Sequence, residues 1–266
     1  MLKLRHDLKK IFSGPEPEVF DQIMTLQGEA FRDLAGRRTI RVDLAGRSYF
    51  AKLHFGVGWR EICKNIIALR LPVVGARTEW LAIQTFEKLG VATMSIAGFG
   101  ERGFNPAGKQ SFLLTDELAG TISLEDYCRP WPDSPPSPRL KRAIIEQVAR
   151  ITRQLHENGV NHRDLYICHF LMKEASAKPD ATPEDIELFI IDLHRVQIRN
   201  RTPRRWIVKD VAGLYFSSMD IGLTRRDRLR FMRHYHSRPL REQFDEQQGF
   251  WKAVERKAMQ LYRKPC

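Results

Sequence analysis

The chain has 266 residues, of which 42% are hydrophobic and 10% aromatic; that is enough apolar surface for a sizeable core and excludes a disordered protein. A formal net charge of +12 favours anionic partners: nucleic acid, an acidic protein, or anionic lipid and sugar-phosphate surfaces. The four cysteines, Cys63, Cys128, Cys168 and Cys266, form no Cys-x-x-Cys pair and no metal-ligand spacing, so a reducing cytoplasmic setting is expected rather than a disulfide scaffold.

The stretch Met1–Asp7 lacks the apolar segment of a signal peptide. No run approaches the roughly 18 uninterrupted apolar residues of a spanning helix, so a soluble or peripheral protein is expected. In chain order, residues 37–53 predict a strand pair. Arg38-Thr39-Ile40-Arg41-Val42 alternates, residues 44–47 supply a turn, and Ser48-Tyr49-Phe50-Ala51-Lys52-Leu53 runs out again. Residues 55–75 read as a helical insertion whose apolar face carries Trp59, Ile62, Cys63, Ile66 and Ile67, followed by Leu71-Pro72-Val73-Val74.

Residues 76–89 predict a helix, with Trp80, Ile83 and Phe86 on one face and Gly90 as its stop. Residues 91–100 and 110–115 predict two strands, linked by a turn-rich stretch with Gly103, Pro106 and Gly108. Leu118-Ala119-Gly120 reads as a hinge. The proline-rich residues 129–138 form a loop that ends with Ser137 as N-cap and Pro138 at the first helical position. A helix over 139–158 follows, its buried stripe being Leu140, Ile144, Val148, Ile151 and Leu155. Residues 173–185 read as a loop between strand-like segments, and from about 207 the pattern is helical, with further helices at 224–236 and 246–262. The sum is an α+β, bilobal architecture: a strand-rich N-lobe over 1–118 and a helical C-lobe over 119–266, with a cleft suited to a nucleotide.

Three charged groups fall in the order of the protein-kinase signature: a strand lysine, Lys52; a loop Asn161-His162-Arg163-Asp164-Leu165 after a buried helix; and Asp192 at the end of the apolar run 188–191. Phosphoryl transfer needs one orienting carboxylate, one metal-holding carboxylate and one cation on the phosphates, and little covalent chemistry from the protein. Asp164 is the candidate for the first, with His162 packed below it and Arg163 suited to bridge a nearby anion or carboxylate. The bland reading is a turn that satisfies its own backbone, and a lone His-Arg-Asp triplet would favour it. Asp192 suits a magnesium bridging phosphates; otherwise it caps the next turn. Lys52, read as pointing inward among apolar neighbours, needs a partner. Glu79 is the candidate and Glu87 the runner-up, whereas a random strand lysine would sit solvated at an edge.

Position 169, where a kinase loop places asparagine, is His169, a poorer match to magnesium; position 166, often lysine, is Tyr166. Asp210 reads as a structural residue that opens and caps a helix and holds the His-Arg-Asp backbone from below.

Residues 161–171 with Ile191-Asp192-Leu193-His194-Arg195 downstream resemble the lipopolysaccharide core heptose(I) kinase family, as do Gly75–Trp80 and Asp220–Thr224. Within that resemblance Tyr166 and His169 look ordinary. It implies a protein-kinase-like fold and transfer of the ATP γ-phosphoryl group to the first inner-core heptose, with Mg2+. It makes Asp164 the catalytic carboxylate beside His162 and Arg163, Asp192 and His169 the metal positions, and Lys52, Glu79, Glu117 and Leu118 the nucleotide positions. Arg195, Arg199, Arg201, Arg204 and Arg205 become acceptor-binding, each basic group near an anionic membrane being worth about 1 kcal/mol. The implied partners are the lipopolysaccharide core glycolipid, the cytoplasmic face of the inner membrane, and an acyl carrier protein. The 55–75 insertion reads by default as a core helix; the alternatives are a segment in the lipid interface or a slot for an acyl chain, and its basic, apolar character makes it a docking place for such a carrier. The rivals are a keto-deoxy-octulosonate kinase or protein kinase using the same groups, a nucleic-acid-binding module, for which no recognition motif appears, and a pseudokinase scaffold.

Overall fold

The alternating runs of the first third pair into one antiparallel sheet in a computed structural model that describes residues 1–34, 36–67, 75–236 and 239–263. The chain divides into two compact units, residues 1–85 with 94–118 and residues 86–93 with 119–266.

The first unit contains β1 (Leu2–Leu4), α1 (His6–Ile11), α2 (Glu16–Met24), β2 (Glu29–Leu34), β3 (Arg37–Leu44), β4 (Arg47–His54), α3 (Gly58–Ile67), most of α4 (Arg77–Leu89), β5 (Ile96–Arg102) and β6 (Gln110–Asp116). The six strands lie in the order β1-β5-β6-β4-β3-β2. β3 and β4 are joined through Ala45 and Gly46, both at positive φ, the turn hand that matches strand twist. In β4, Tyr49, Ala51 and Leu53 are fully buried in a core shared with Leu8, Phe20, Ile23 and Phe112. Lys52, paired across the sheet with Thr39 and Leu113, falls on the opposite face because side chains alternate. It lies on an inner strand rather than at a solvated edge, on the face opposite this apolar core.

The elements before residue 35 went unread in the sequence. α1 and α2 have only 6 and 9 residues, too few for a periodic pattern to stand out, yet they bury Leu8, Val19, Phe20 and Ile23. α3 lies within the expected insertion. Ile62 is buried, but Trp59, Cys63 and Ile67 are exposed, so the apolar face proposed for it is not a core face. Leu71-Pro72-Val73-Val74 lies outside the described residues, and so does the side chain of Ile66.

The second unit contains β7 (Thr121–Ser123), α5 (Leu124–Cys128), α6 (Pro138–Glu157), β8 (Val160–Asn161), β9 (Phe170–Lys173), β10 (Leu188–Ile190), β11 (Gln197–Ile198), α7 (Arg204–Ser217), α8 (Arg225–His236), α9 (Leu240–Glu246) and α10 (Gln248–Tyr262). α6 begins as expected: the Ser137 hydroxyl accepts the Leu140 N–H at 3.1 Å, with Pro138 at the first helical position. β9 and β10 pair antiparallel, and the 173–185 link between them holds two short 3-10 turns. α7 begins at Arg204 rather than 207, so Asp210 sits in mid-helix and caps nothing. Ala149, Val211, Ala212, Tyr235, Phe250, Val254 and Ala258 form a core of α6, α7, α8 and α10.

α6 stops at Gly159, whose φ is +76° and where a Cβ would stand 1.7 Å from the Arg199 carbonyl. The Gly159 carbonyl accepts the Arg199 N–H at 3.0 Å, which seats β11 on β8 immediately before the His-Arg-Asp loop. Gly159→Ala is expected to cost about 2 kcal/mol or more, through left-handed strain and the clash together, read as a lowered midpoint in denaturant unfolding.

Candidate active site

The loop His162-Arg163-Asp164-Leu165-Tyr166 leaves β8 and runs along one face of α7, meeting Trp206, Lys209, Asp210 and Gly213 at helical spacing. Asp210, 1% exposed, accepts the His162 N–H at 2.7 Å and the Arg163 N–H at 2.8 Å. Arg163 has a φ of 75°, unfavourable for a residue with a Cβ, and the carboxylate on two successive N–H groups holds it there. At Gly213 a Cβ would meet the Leu165 carbonyl at 2.8 Å, so only glycine lets the loop lie this close. Farther along, the Ser217 hydroxyl accepts the Ile167 N–H at 3.0 Å.

Asp164 projects from this gripped loop. One guanidinium nitrogen of Arg195 donates to both its oxygens, at 3.0 and 2.7 Å. Lys209 approaches Oδ1 at 3.4 Å and also donates to the Arg163 carbonyl. Burial, ahead of its charged neighbours, holds the Lys209 amine below the ordinary lysine range. The Arg163 guanidinium lies 4.9 Å over the Trp206 ring. Arg163 thus stacks on an aromatic face rather than pairing with a protein carboxylate among the described residues, and burial pushes its pKa down.

Asp192 lies two residues beyond β10, in the left-handed conformation (φ 62°, ψ 50°). Its Oδ1 is 2.5 Å from His194 Nδ1 and its Oδ2 is 3.7 Å from His169 Nε2. His169 Nδ1 is 2.7 Å from the Asp164 carbonyl, which can only accept, so Nδ1 carries a proton and Nε2 is the atom that faces Asp192. His162 spans the same region: Nε2 donates to the Ile191 carbonyl at 3.0 Å, and burial depresses its pKa. The loop and the Asp192 turn are thus tied together by His162, by His169 and by Arg195.

The first unit holds a pair of its own. Lys52 Nζ stands 2.5 Å from Glu79 Oε1, and Glu79, in the first turn of α4, is 2% exposed. Glu87 is exposed. The Glu117 carboxylate is held below the usual range by the Ser48 hydroxyl and the Arg41 guanidinium, at 3.0 Å, so this side chain braces the sheet; Leu118 follows it.

Of the five arginines expected at the acceptor, Arg195 sits on Asp164. Arg199 donates to Asn161 and to Gln197, each at 2.7 Å, which makes it a brace for β8 and β11. Arg201, Arg204 and Arg205 are exposed, Arg205 lying 5.3 Å from the Trp206 ring. Sequence reasoning missed Lys209, Trp206 and His194. The spacing of Trp206, Lys209, Asp210 and Gly213 would have marked one helix face, had polar residues been scanned for helical period as apolar ones were.

A His-Arg-Asp loop anchored on a buried helical aspartate is phosphotransferase geometry, and residues 21–235 match one such group throughout: the chain belongs to the lipopolysaccharide kinase (Kdo/WaaP) family. Among its relatives, the Pseudomonas aeruginosa lipopolysaccharide core heptose(I) kinase WaaP is 51% identical over 261 residues, which cover 98% of this chain and 96% of that protein. An Escherichia coli protein of the same name is 47% identical over 98% of this chain and 97% of its own length. The solved structure of WaaP in complex with acyl carrier protein aligns with a TM-score of 0.83 at 46% identity, over 99% of this chain and 100% of that one.

Replacing Asp210 tests the grip on the loop. Asp210→Ala leaves two buried N–H groups without acceptors, at about 1–3 kcal/mol each. Chemical denaturation should show a loss in the range of that sum, with Asp210→Asn, which keeps one acceptor oxygen, in between.

Proposed function

We propose that the chain is an ATP-dependent lipopolysaccharide core heptose(I) kinase, with residues 1–118 serving the nucleotide and residues 119–266 carrying the catalytic and acceptor groups. The observation that carries this reading is the Asp164 carboxylate, fixed on a strained loop and flanked by two cations, in a chain 51% identical over nearly its whole length to a protein of that name. In the step itself, the heptose hydroxyl oxygen bonds to the γ-phosphorus, the bond to the β–γ bridging oxygen breaks, and ADP leaves. The hydroxyl proton passes to Asp164, within reach as a general base. Lys52 holds the α- and β-phosphates, and the buried Glu79 orients the amine. Arg195, with the exposed Arg201, Arg204 and Arg205, offers cations to the anionic sugars and phosphates around the acceptor.

Asp192 and His169 fit a divalent cation. A single carboxylate completed by phosphate oxygens and water is an ordinary magnesium environment. With the ring neutral, the Nε2 lone pair of His169, its tautomer fixed by a backbone carbonyl, adds a nitrogen donor. Bound there, the cation would neutralise charge on the β- and γ-phosphate oxygens.

An acyl carrier protein is the partner this reading adds. The second unit contains a predominantly apolar cavity of about 480 Å³ lined by Ile144, Val148, Leu229 and Met232, with Arg228 and Lys252 also in its wall. Such a cavity suits an acyl chain; its wall is mixed in charge, with Asp227 and Glu255 beside the basic side chains, so the match to an acidic carrier rests on the chain's overall basic excess. No helix among the described residues is long and apolar enough to cross a membrane. Contact with the cytoplasmic face of the inner membrane would then rest on the basic surface.

The direct test is labelled-phosphate transfer from ATP to purified core glycolipids of defined truncation. Transfer is expected only where the first heptose is present; labelling of a heptose-free, keto-deoxy-octulosonate-only acceptor would overturn the heptose assignment. Asp164→Asn should lower turnover by roughly 10² to 10⁴ with folding intact, and Lys52→Ala should impair ATP use more than glycolipid binding. Acylated carrier protein should bind more tightly than the same carrier without its acyl chain, measured by calorimetry.

A further inference from the structure

The catalytic loop has no lysine of its own. Tyr166 occupies that place; its ring packs towards Phe216 and His169 and against Gly213, and a phenol brings no positive charge to Asp164. A lysine reaches Asp164 from α7 instead.

Lys209 is one residue before Asp210, and the two divide the work on the loop. Asp210 takes the N–H groups of His162 and Arg163. Lys209 takes the carbonyl of Arg163 and the Oδ1 of Asp164. Holding the backbone does not require the second contact. The ammonium also stands among like charges, Arg163 and Arg195, and is partly desolvated, an arrangement that costs stability. Arg195 alone leaves the carboxylate under-determined. A single nitrogen facing both oxygens sets their distance from the guanidinium but resists twisting of the carboxylate less than a two-nitrogen fork would. A second cation on the Oδ1 side alone, at 3.4 Å, restricts that freedom.

We propose that Lys209 is a positioning residue for phosphoryl transfer: from α7 it fixes the twist of the Asp164 carboxylate that receives the acceptor's proton, and ties that twist to the Arg163 backbone. This rests on the kinase reading above and names a residue that the motif does not contain. A misoriented general base is expensive, because displacement of reacting groups by about 1 Å can cost on the order of 10²-fold.

The test uses the full chain with ATP and heptose-bearing core glycolipid. Lys209→Met should lower kcat roughly 10- to 100-fold while KM for ATP stays the same. Lys209→Arg should recover most of the loss. Lys209→Ala should regain part of it, saturably, when a small primary alkylamine is added. A folded Lys209→Met with normal kcat overturns the proposal. So does a loss that neither arginine nor amine repairs, or a finding that only arginine at this position permits folding, since each makes the role purely structural. Asp164→Asn run alongside separates the two levels. If both variants retain transfer, the assignment of Asp164 itself fails; if Asp164→Asn is dead and Lys209→Met is normal, only the role of Lys209 does.

Discussion

The second unit turns on a buried carboxylate that accepts two successive backbone N–H groups. Asp210 has no exposure to compensate its charge by hydration, so its hydrogen bonds to His162 and Arg163 are what make it tolerable there. The same bonds hold Arg163 in a left-handed conformation that its side chain disfavours. The direction in which Asp164 points follows from that conformation, and with it the chemistry proposed for the loop.

α7 works on two faces. Towards the loop it presents an aromatic ring at Trp206, a cation at Lys209, an acceptor at Asp210 and a gap at Gly213. Val211, Ala212 and Leu214 on the same helix are buried, Val211 and Ala212 in the core with Tyr235 and Phe250, while Val211 and Leu214 also line the apolar cavity. A second polar chain reaches Asp210 from that side: His156 stands 2.7 Å from the Tyr235 hydroxyl and 3.4 Å from Asp210. The packing that makes α7 rigid is thus continuous with the contacts that set the loop, which explains why one helix supplies so many of them.

The groups around Asp192 make a small hydrogen-bonded ring of their own. His162 donates to the carbonyl before it, His169 connects it to the Asp164 backbone, and Arg195 returns from the following turn to the Asp164 side chain. Two acidic residues 28 positions apart are in this way referred to one another through three side chains. A loop and a strand end so coupled lose little further freedom on binding, which is what preorganised catalysis requires.

Much of this was legible in the sequence. The α6 helix with its Ser137 cap, the β3–β4 pair and the charged order Lys52, Asp164, Asp192 follow from local rules: period, capping chemistry and turn residues act over a few positions and leave a local trace. The short elements before residue 35 left too little trace to read. What only the tertiary structure decided are contacts that join distant positions. Arg195 reaches Asp164 across 31 residues, Lys209 across 45, and Asp210 meets Arg163 across 47. The face of β4 on which Lys52 lies was likewise decided by which side α1 and α2 cover. A single sequence carries no period for such pairs; they arise when packing brings one helix face against one loop, and the identity of the residues at that meeting then determines the chemistry.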